Sequence, residues 1–337
     1  MPQIAAGGVR HHPFGVAVAA DAARLRRFER ERDACMSRHR TTARGLFLLI
    51  VTLLVGAGAA TAWSAQSTAA KVPQLVFPVL GEATFGNDFG DARGQGAHEG
   101  NDITAPRRAL ALAAEAGTVK FWTTSSRAGC MLYLYGKSGT TYLYIHLNND
   151  LTDGNDNRGR CVPGVAFTKG LRSGAKVAAG QPIAYVGDSG DADGIHPHLH
   201  FEVHPDDGRA ANPYPYLTKA RRLLFAAAPG STFTLALTGT VVEAGSAGLR
   251  LELERLRQWP GGRRIAQPGR EIDVVVPPTA TIEGAAKANP NDPRELGLGL
   301  PAPGSTVTVF TAPAKATLAA RTGAKHALAA KRVVVRK

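Results

Sequence analysis

The chain has 337 residues, 44% of them apolar and 7% aromatic, with 40 Lys and Arg against 27 Asp and Glu. That apolar share excludes a wholly disordered chain, and the length suits about two domains. The net charge of +13 is uneven: residues 1–44 carry 9 basic and 4 acidic side chains, 66–228 carry 16 and 15, and 229–337 carry 15 and 8. A neutral central block between basic flanks suggests anionic polymers or membrane surfaces as partners of the flanks. No basic motif interleaved with aromatics marks the chain for nucleic acid, so none is expected.

In chain order, a basic segment (1–44) precedes an uncharged run (45–65) whose apolar part reads LFLLIVTLLVGAGAATA over 46–62. Arg38, Arg40 and Arg44 stand just before it, and Ala60-Thr61-Ala62 gives an A-x-A cleavage pattern. Two readings stay open. The run is a cleaved signal peptide, or it is an uncleaved anchor that ties the chain to a membrane. Either exports the rest of the chain, because positive charge stays inside. The Arg-rich stretch before Met36 is irregular, and a start at Met36 would give a signal peptide of ordinary length. Residues 1–35 are therefore expected not to be translated. The expected location is exported: secreted, periplasmic or wall-associated.

Residues 66–75 read as a linker. From 76 to 216 the pattern is all-β. Thr118–Trp122, Met131–Tyr135, Thr141–Ile145, Pro182–Val186 and Leu199–Val203 alternate apolar and polar residues between Gly, Asp and Asn clusters, as antiparallel strands do. Residues 217–230 suit a linker or a short helix. From 231 to 337 about five more strands (Thr232–Val242, Leu249–Leu256, Ile272–Val276, Thr306–Phe310 and Lys331–Val335) predict a small β-barrel or sandwich without a catalytic cluster. Residues 284–303 read as a long loop. The fold class expected is mainly β: an antiparallel sheet domain with a groove, then a small C-terminal β domain.

Cys130 and Cys161 form an even pair in the exported part and bracket His146. They predict a disulfide; a metal-binding pair is the other reading.

The chemistry sits in three segments, His98-Glu99-Gly100-Asn101-Asp102, Tyr144-Ile145-His146 and His198-Leu199-His200-Phe201-Glu202. Two His and one Asp suffice to hold a zinc ion with one position open for water. Two further His then remain to move protons near neutral pH. On a strand His198 and His200 share a face, and Glu202 shares it with them. Glu202 reads equally as a hydrogen-bond partner of His200 or as a structural carboxylate. His196 and His204 share that parity and are expected to be neighbours rather than ligands. The helical HExxH zinc signature is absent.

H-x-x-x-D, then Y-x-H-L, then H-L-H-F-E, in that order over about residues 76–215, resembles the lysostaphin-type (LytM domain) zinc metallopeptidases. The resemblance implies one zinc ion held by His98, Asp102 and His200, with His146 and His198 as catalytic residues outside the metal shell. It implies a grooved antiparallel sheet and hydrolysis of peptide bonds in bacterial peptidoglycan. Asn101 and Ile145 depart from the residues common in the family, and the Asp150–Arg160 loop and the Cys pair look like insertions. These spare the metal site but put family substrate preference in doubt. The competing expectation is a non-catalytic regulator of wall hydrolases or division that uses the groove to bind protein. The basic C-terminal block is expected to hold anionic wall polymer.

Overall fold

A computed structural model describes residues 72–94, 96–246, 248–284 and 299–336. The expectations for the N-terminal basic segment, the apolar run and its cleavage, the Met36 start, most of the 66–75 linker and most of the 284–303 loop lie outside these residues. No helix among the described residues is long and apolar enough to cross a membrane. The protein is mainly β.

Two short strands, β1 (Ala92–Arg93) and β2 (Gly96–Ala97), pair as a hairpin. Next comes a six-stranded antiparallel sheet in the order β3-β10-β7-β6-β5-β8. Its strands are β3 (Asn101–Thr104), β5 (Gly117–Ser125), β6 (Gly129–Gly136), β7 (Thr141–Leu147), β8 (Lys176–Val177) and β10 (His198–His204). A separate pair, β4 (Leu110–Leu112) and β9 (Pro182–Tyr185), packs with it. All five strands expected from alternation between 118 and 203 are present. Their inward residues, among them Leu132, Leu134, Tyr142, Tyr144, Leu199 and Phe201, form one buried core with Phe77 and Phe167. Alternation forces this outcome, because successive side chains of a strand point to opposite faces.

The C-terminal block is one seven-stranded sheet, ordered β13-β12-β11-β15-β17-β14, with β16 also paired to β11. Its strands are β11 (Thr232–Gly245), β12 (Gly248–Trp259), β13 (Arg263–Val274), β14 (Thr281–Glu283), β15 (Thr306–Thr311), β16 (Ala314–Lys315) and β17 (Ala330–Val335). β13 and β14 are one path that changes partner. β13 lies antiparallel to β12, Val275 then bridges Ala329, and β14 runs parallel to β17. The two ends of the sheet therefore meet, and the sheet curls into a barrel rather than a two-sheet sandwich. A meander of three strands, a fourth beside the first, and a fifth parallel to the third is the connectivity of the five-stranded OB barrel.

Two expectations need correction here. Ile272–Val276 marks only the end of β13, which begins at Arg263. Pro268 and Gly269 fall where Leu253 and Arg255 of β12 are matched to Arg270 and Ala266, a bulge that absorbs the extra residues. The second correction is the 217–230 linker. Only Tyr214–Leu217 is helical, and Leu223, Leu224 and Phe225 are buried in the barrel core. Leu224 N–H donates to the Arg321 carbonyl at 2.7 Å, and Gln267 Nε2 donates to the Leu224 carbonyl at 3.0 Å. A flexible linker would leave those backbone groups to water; here each has a protein partner.

The same core takes Val76, Leu80, Leu110 and Leu112 from the first block. Buried Arg321 reaches back to the Gly180 carbonyl at 2.9 Å. All described residues belong to one compact unit, with two hydrophobic cores sharing a wall.

Phe225 is fully buried, with its ring centroid 4.4 Å from that of Phe233. Phe225→Ala is expected to cost about 3–5 kcal/mol. Urea titration checks this; a loss below about 1 kcal/mol would restore the linker reading.

Candidate metal centre and active site

Strand register builds the site. β3 and β10 pair so that Asp102 faces His200 directly, and on the other flank of β10 His200 faces Ile145 of β7. His98 precedes β3, and its ring lies 4.7 Å from the His200 ring, centroid to centroid. Gly100 makes that approach possible: a Cβ there would sit 2.6 Å from His200 Nε2 and 2.8 Å from the Phe201 carbonyl. Only glycine fits.

His98 Nε2, Asp102 Oδ1 and His200 Nδ1 form a triangle. Their separations are 3.2 Å (His98–Asp102), 3.0 Å (His200–Asp102) and 2.9 Å (His98–His200). Tetrahedral zinc with bonds of about 2.0–2.1 Å sets its ligand atoms roughly 3.3 Å apart, so the donor set fits one such ion after a small outward adjustment. The hydrogen bonds behind the triangle fit as well. His98 Nδ1 lies 2.8 Å from the Asp88 carbonyl, to which it donates, leaving Nε2 as a lone-pair donor. His200 Nε2 lies 3.0 Å from Glu202 Oε1, which leaves Nδ1 for a metal. His204 Nε2 holds the other Glu202 oxygen at 2.6 Å. A carboxylate behind a ligating imidazole fixes its tautomer and raises its basicity. Of the two readings for Glu202, partner of His200 is the one the geometry takes.

His146 and His198 stand beside the triangle, their rings 5.1 Å apart. His146 Nδ1 donates to the Ser189 carbonyl at 2.8 Å, and His198 Nδ1 to the His196 carbonyl at 3.1 Å. Each ring thereby keeps Nε2 as the acceptor. His198 Nε2 is 3.8 Å from Asp102 Oδ1, and His146 Nε2 is 3.8 Å from Asp191 Oδ1. His146 has a φ of +58°, rare for a residue with a side chain, and such strain is held where surrounding contacts over-determine the backbone. Here its N–H binds the Ala128 carbonyl, and Cys130 of β6 lies opposite Leu147.

Burial would raise the Asp102 carboxyl, but hydrogen bonds from His200 and His98 outweigh it and hold it well below the usual carboxylate range. Burial pushes His146 down to about 4, so it is a neutral base at ordinary pH. Burial also acts against the charged form of His200, yet bonds to Asp102 and Glu202 push it up to about 9 without metal. Burial acts to raise Glu202, and the His200 and His204 bonds bring it down to about 2.

Several residues that the motifs do not reveal hold this arrangement. Asp88 receives the Asn101 side chain and the Asp102 N–H. Arg107 grips Asp188 with two bonds of 2.6 Å and also binds buried Asp150, so three loops around the site share one ion cluster. Ser189 links the turn to β6 and β7 through Cys130 N and the Leu147 carbonyl. A buried Asp or Arg far apart in sequence leaves no periodic signal. Cys130 and Cys161 are joined by a disulfide, which settles the choice between disulfide and metal pair. His196 and His204 lie outside the donor triangle. The cleft is about 800 Å³ and is lined by Arg93, Arg127, Ile145, Ala192 and Ile195 as well as the His and Asp residues.

Glu202→Gln is expected to weaken zinc binding about 10- to 100-fold. Competition against a chromophoric chelator measures it; unchanged affinity would make Glu202 merely structural.

Residues 165–213 match the model of Peptidase family M23. Over 151 residues the chain is 29% identical to an L-Ala--D-Glu endopeptidase of Bacillus subtilis (strain 168), which covers 42% of this chain and 41% of that protein. The chain thus spans about two fifths of the length of that relative. Among solved structures, the catalytic domain of lysostaphin from Staphylococcus simulans is 22% identical and covers 41% of this chain and 92% of its own, with a TM-score of 0.31. A zinc containing peptidase from Vibrio cholerae is 21% identical and covers 43% and 40%, with a TM-score of 0.31. The segment matched by the Peptidase family M23 model contains His198, His200 and Glu202, so it is this part of the chain that is similar to that family.

Proposed function

We propose that this chain is an exported zinc metalloendopeptidase that hydrolyses peptide bonds of bacterial peptidoglycan. The observation that carries the reading is the donor triangle of His98, Asp102 and His200 with two imidazole Nε2 acceptors beside it, in one cleft. Similarity to an endopeptidase named for an L-Ala--D-Glu bond supports peptidoglycan stem peptide as the substrate class. The basic residues before an apolar run support export.

A zinc ion held by the triangle supplies Lewis acidity toward the scissile carbonyl and a water of lowered pKa. The protein supplies the rest. The Nδ1–H bonds of His146 and His198 to backbone carbonyls keep the rings from turning and leave each Nε2 for proton exchange. One Nε2 takes the proton of the attacking water, and the pair returns a proton to the departing amine. An imidazolium formed on the way also faces the developing oxyanion. Glu202 keeps His200 oriented, and Arg93 at the rim pairs with the outer oxygen of Asp102 at 3.0 Å.

The test is incubation of the purified chain with isolated peptidoglycan and mass spectrometry of the released fragments. New amino termini are expected, lost with chelator and restored by zinc. His146→Ala and His198→Ala should each lower the rate by about 10²–10⁴-fold while zinc stays at one per chain. Zinc bound with no cleavage would overturn the reading in favour of a non-catalytic regulator, and cleavage indifferent to both substitutions would overturn the roles given to His146 and His198.

A further inference from the structure

The outer face of the C-terminal barrel carries a row of side chains fixed by strand register. Arg264 of β13 lies beside Arg257 of β12, Arg257 beside Ala236 of β11, Ala236 beside Phe310 of β15, and Phe310 beside Arg332 of β17. Register partners share a face. The adjacent row, Ile265, Leu256, Leu237, Val309 and Val333, is buried in the barrel core, so the Arg264–Arg332 row faces outward. Trp259, two residues beyond Arg257, is on the same side.

Both rings carry a guanidinium. Arg257 lies 5.1 Å from the Trp259 ring centroid, and Arg332 lies 4.4 Å from that of Phe310. Such stacking restrains the long side chain while its terminal N–H groups stay at the surface. Carboxylates near the β12–β13 end are engaged elsewhere, Glu243 and Asp273 on Arg250 and Glu254 on Arg255, while Glu283 pairs with Arg332 of the row itself at 3.6 Å. Among the described residues no carboxylate pairs with Arg257, Arg263 or Arg264. Glu252 and Glu271 sit opposite each other farther along the same ladder, which confines the positive region to the Trp259 end.

We propose that this face of β12 and β13, continued across β11 to Phe310 and Arg332, binds a phosphate-bearing anionic polymer of the cell wall. The choice of a wall polymer rests on the proposed hydrolase function. Charge complementarity selects a polyanion, since guanidinium forks match phosphate oxygens in pairs. Each ring is already covered by an arginine and the two stand on strands separated by β11. They are therefore poor platforms for successive bases, which single-stranded nucleic acid needs. In OB barrels the face of the second and third strands is also the one that takes extended polymers, and here those strands are β12 and β13. Arg257 and Arg264 contact the polymer, and Trp259 is a positioning residue for Arg257.

The full chain is titrated with purified poly(glycerol phosphate), with neutral dextran and a 20-nucleotide single-stranded DNA as comparators. Binding to poly(glycerol phosphate) is expected, weakening with salt. Arg257→Glu with Arg264→Glu should lower affinity by at least about tenfold and reduce the log–log salt slope by about 2, one per lost phosphate contact. Trp259→Leu, which keeps both charges, should lower affinity by a smaller factor at an unchanged slope. Arg264→Gln, at an exposed position, keeps the proposal testable should the double variant not fold, and should lower the slope by about 1. Thermal melts of each variant establish the fold. Absence of wild-type binding at low salt, equal binding by folded variants, or tighter binding to dextran or DNA would overturn the proposal. The readout is binding alone, so a chain that holds the polymer but leaves peptidoglycan uncut would contradict only the hydrolase reading.

Discussion

The site depends on the register of three strands. Asp102 opposes His200 because β3 and β10 are paired in one phase, and a slip of one residue would send Asp102 to the other face of the sheet. The apolar residues of β10 guard that phase. Leu199, Phe201 and Val203 are fully buried, while His198, His200, Glu202 and His204 take the opposite face. The hydrophobic effect thus fixes the catalytic geometry: core residues and site residues alternate on the same strand, and neither set can shift alone.

Around that strand the charges are arranged in layers. The donor triangle stands in front, and Asp88 and Glu202 stand behind its imidazoles. His204 in turn holds Glu202. Burial acts against the charged forms of Asp102, His200 and Glu202, and paired hydrogen bonds outweigh it for all three. For His146 burial outweighs both the Ser189 carbonyl bond and the nearby Asp191 carboxylate, and the ring stays neutral. The balance therefore sets two histidines apart: carboxylate bonds favour the charged form of His200, and burial favours the neutral form of His146.

Much of this was legible in the chain. Period-2 alternation located β5, β6, β7, β9 and β10, parity placed Glu202 on the side of His200, and the three motifs in order, with the resemblance they carry, brought out the five site residues. What stayed hidden has a common physical cause. Asp88, Arg107, Asp150 and Asp188 meet only through folding, and a single buried charge leaves no period to read. The 217–230 segment read as a linker or a short helix, with Ala its commonest residue. Leu223, Leu224 and Phe225 are too few to show a period, yet enough to be buried against the barrel.

The proposed chemistry turns on a metal held by His98, Asp102 and His200. X-ray absorption at the zinc edge of the purified, zinc-loaded chain reads that shell directly. It should show one zinc per chain with two imidazole nitrogens and a carboxylate oxygen at about 2.0–2.2 Å and no sulfur. A shell without two imidazoles, or zinc retained unchanged after Asp102→Ala and His200→Ala, would contradict it.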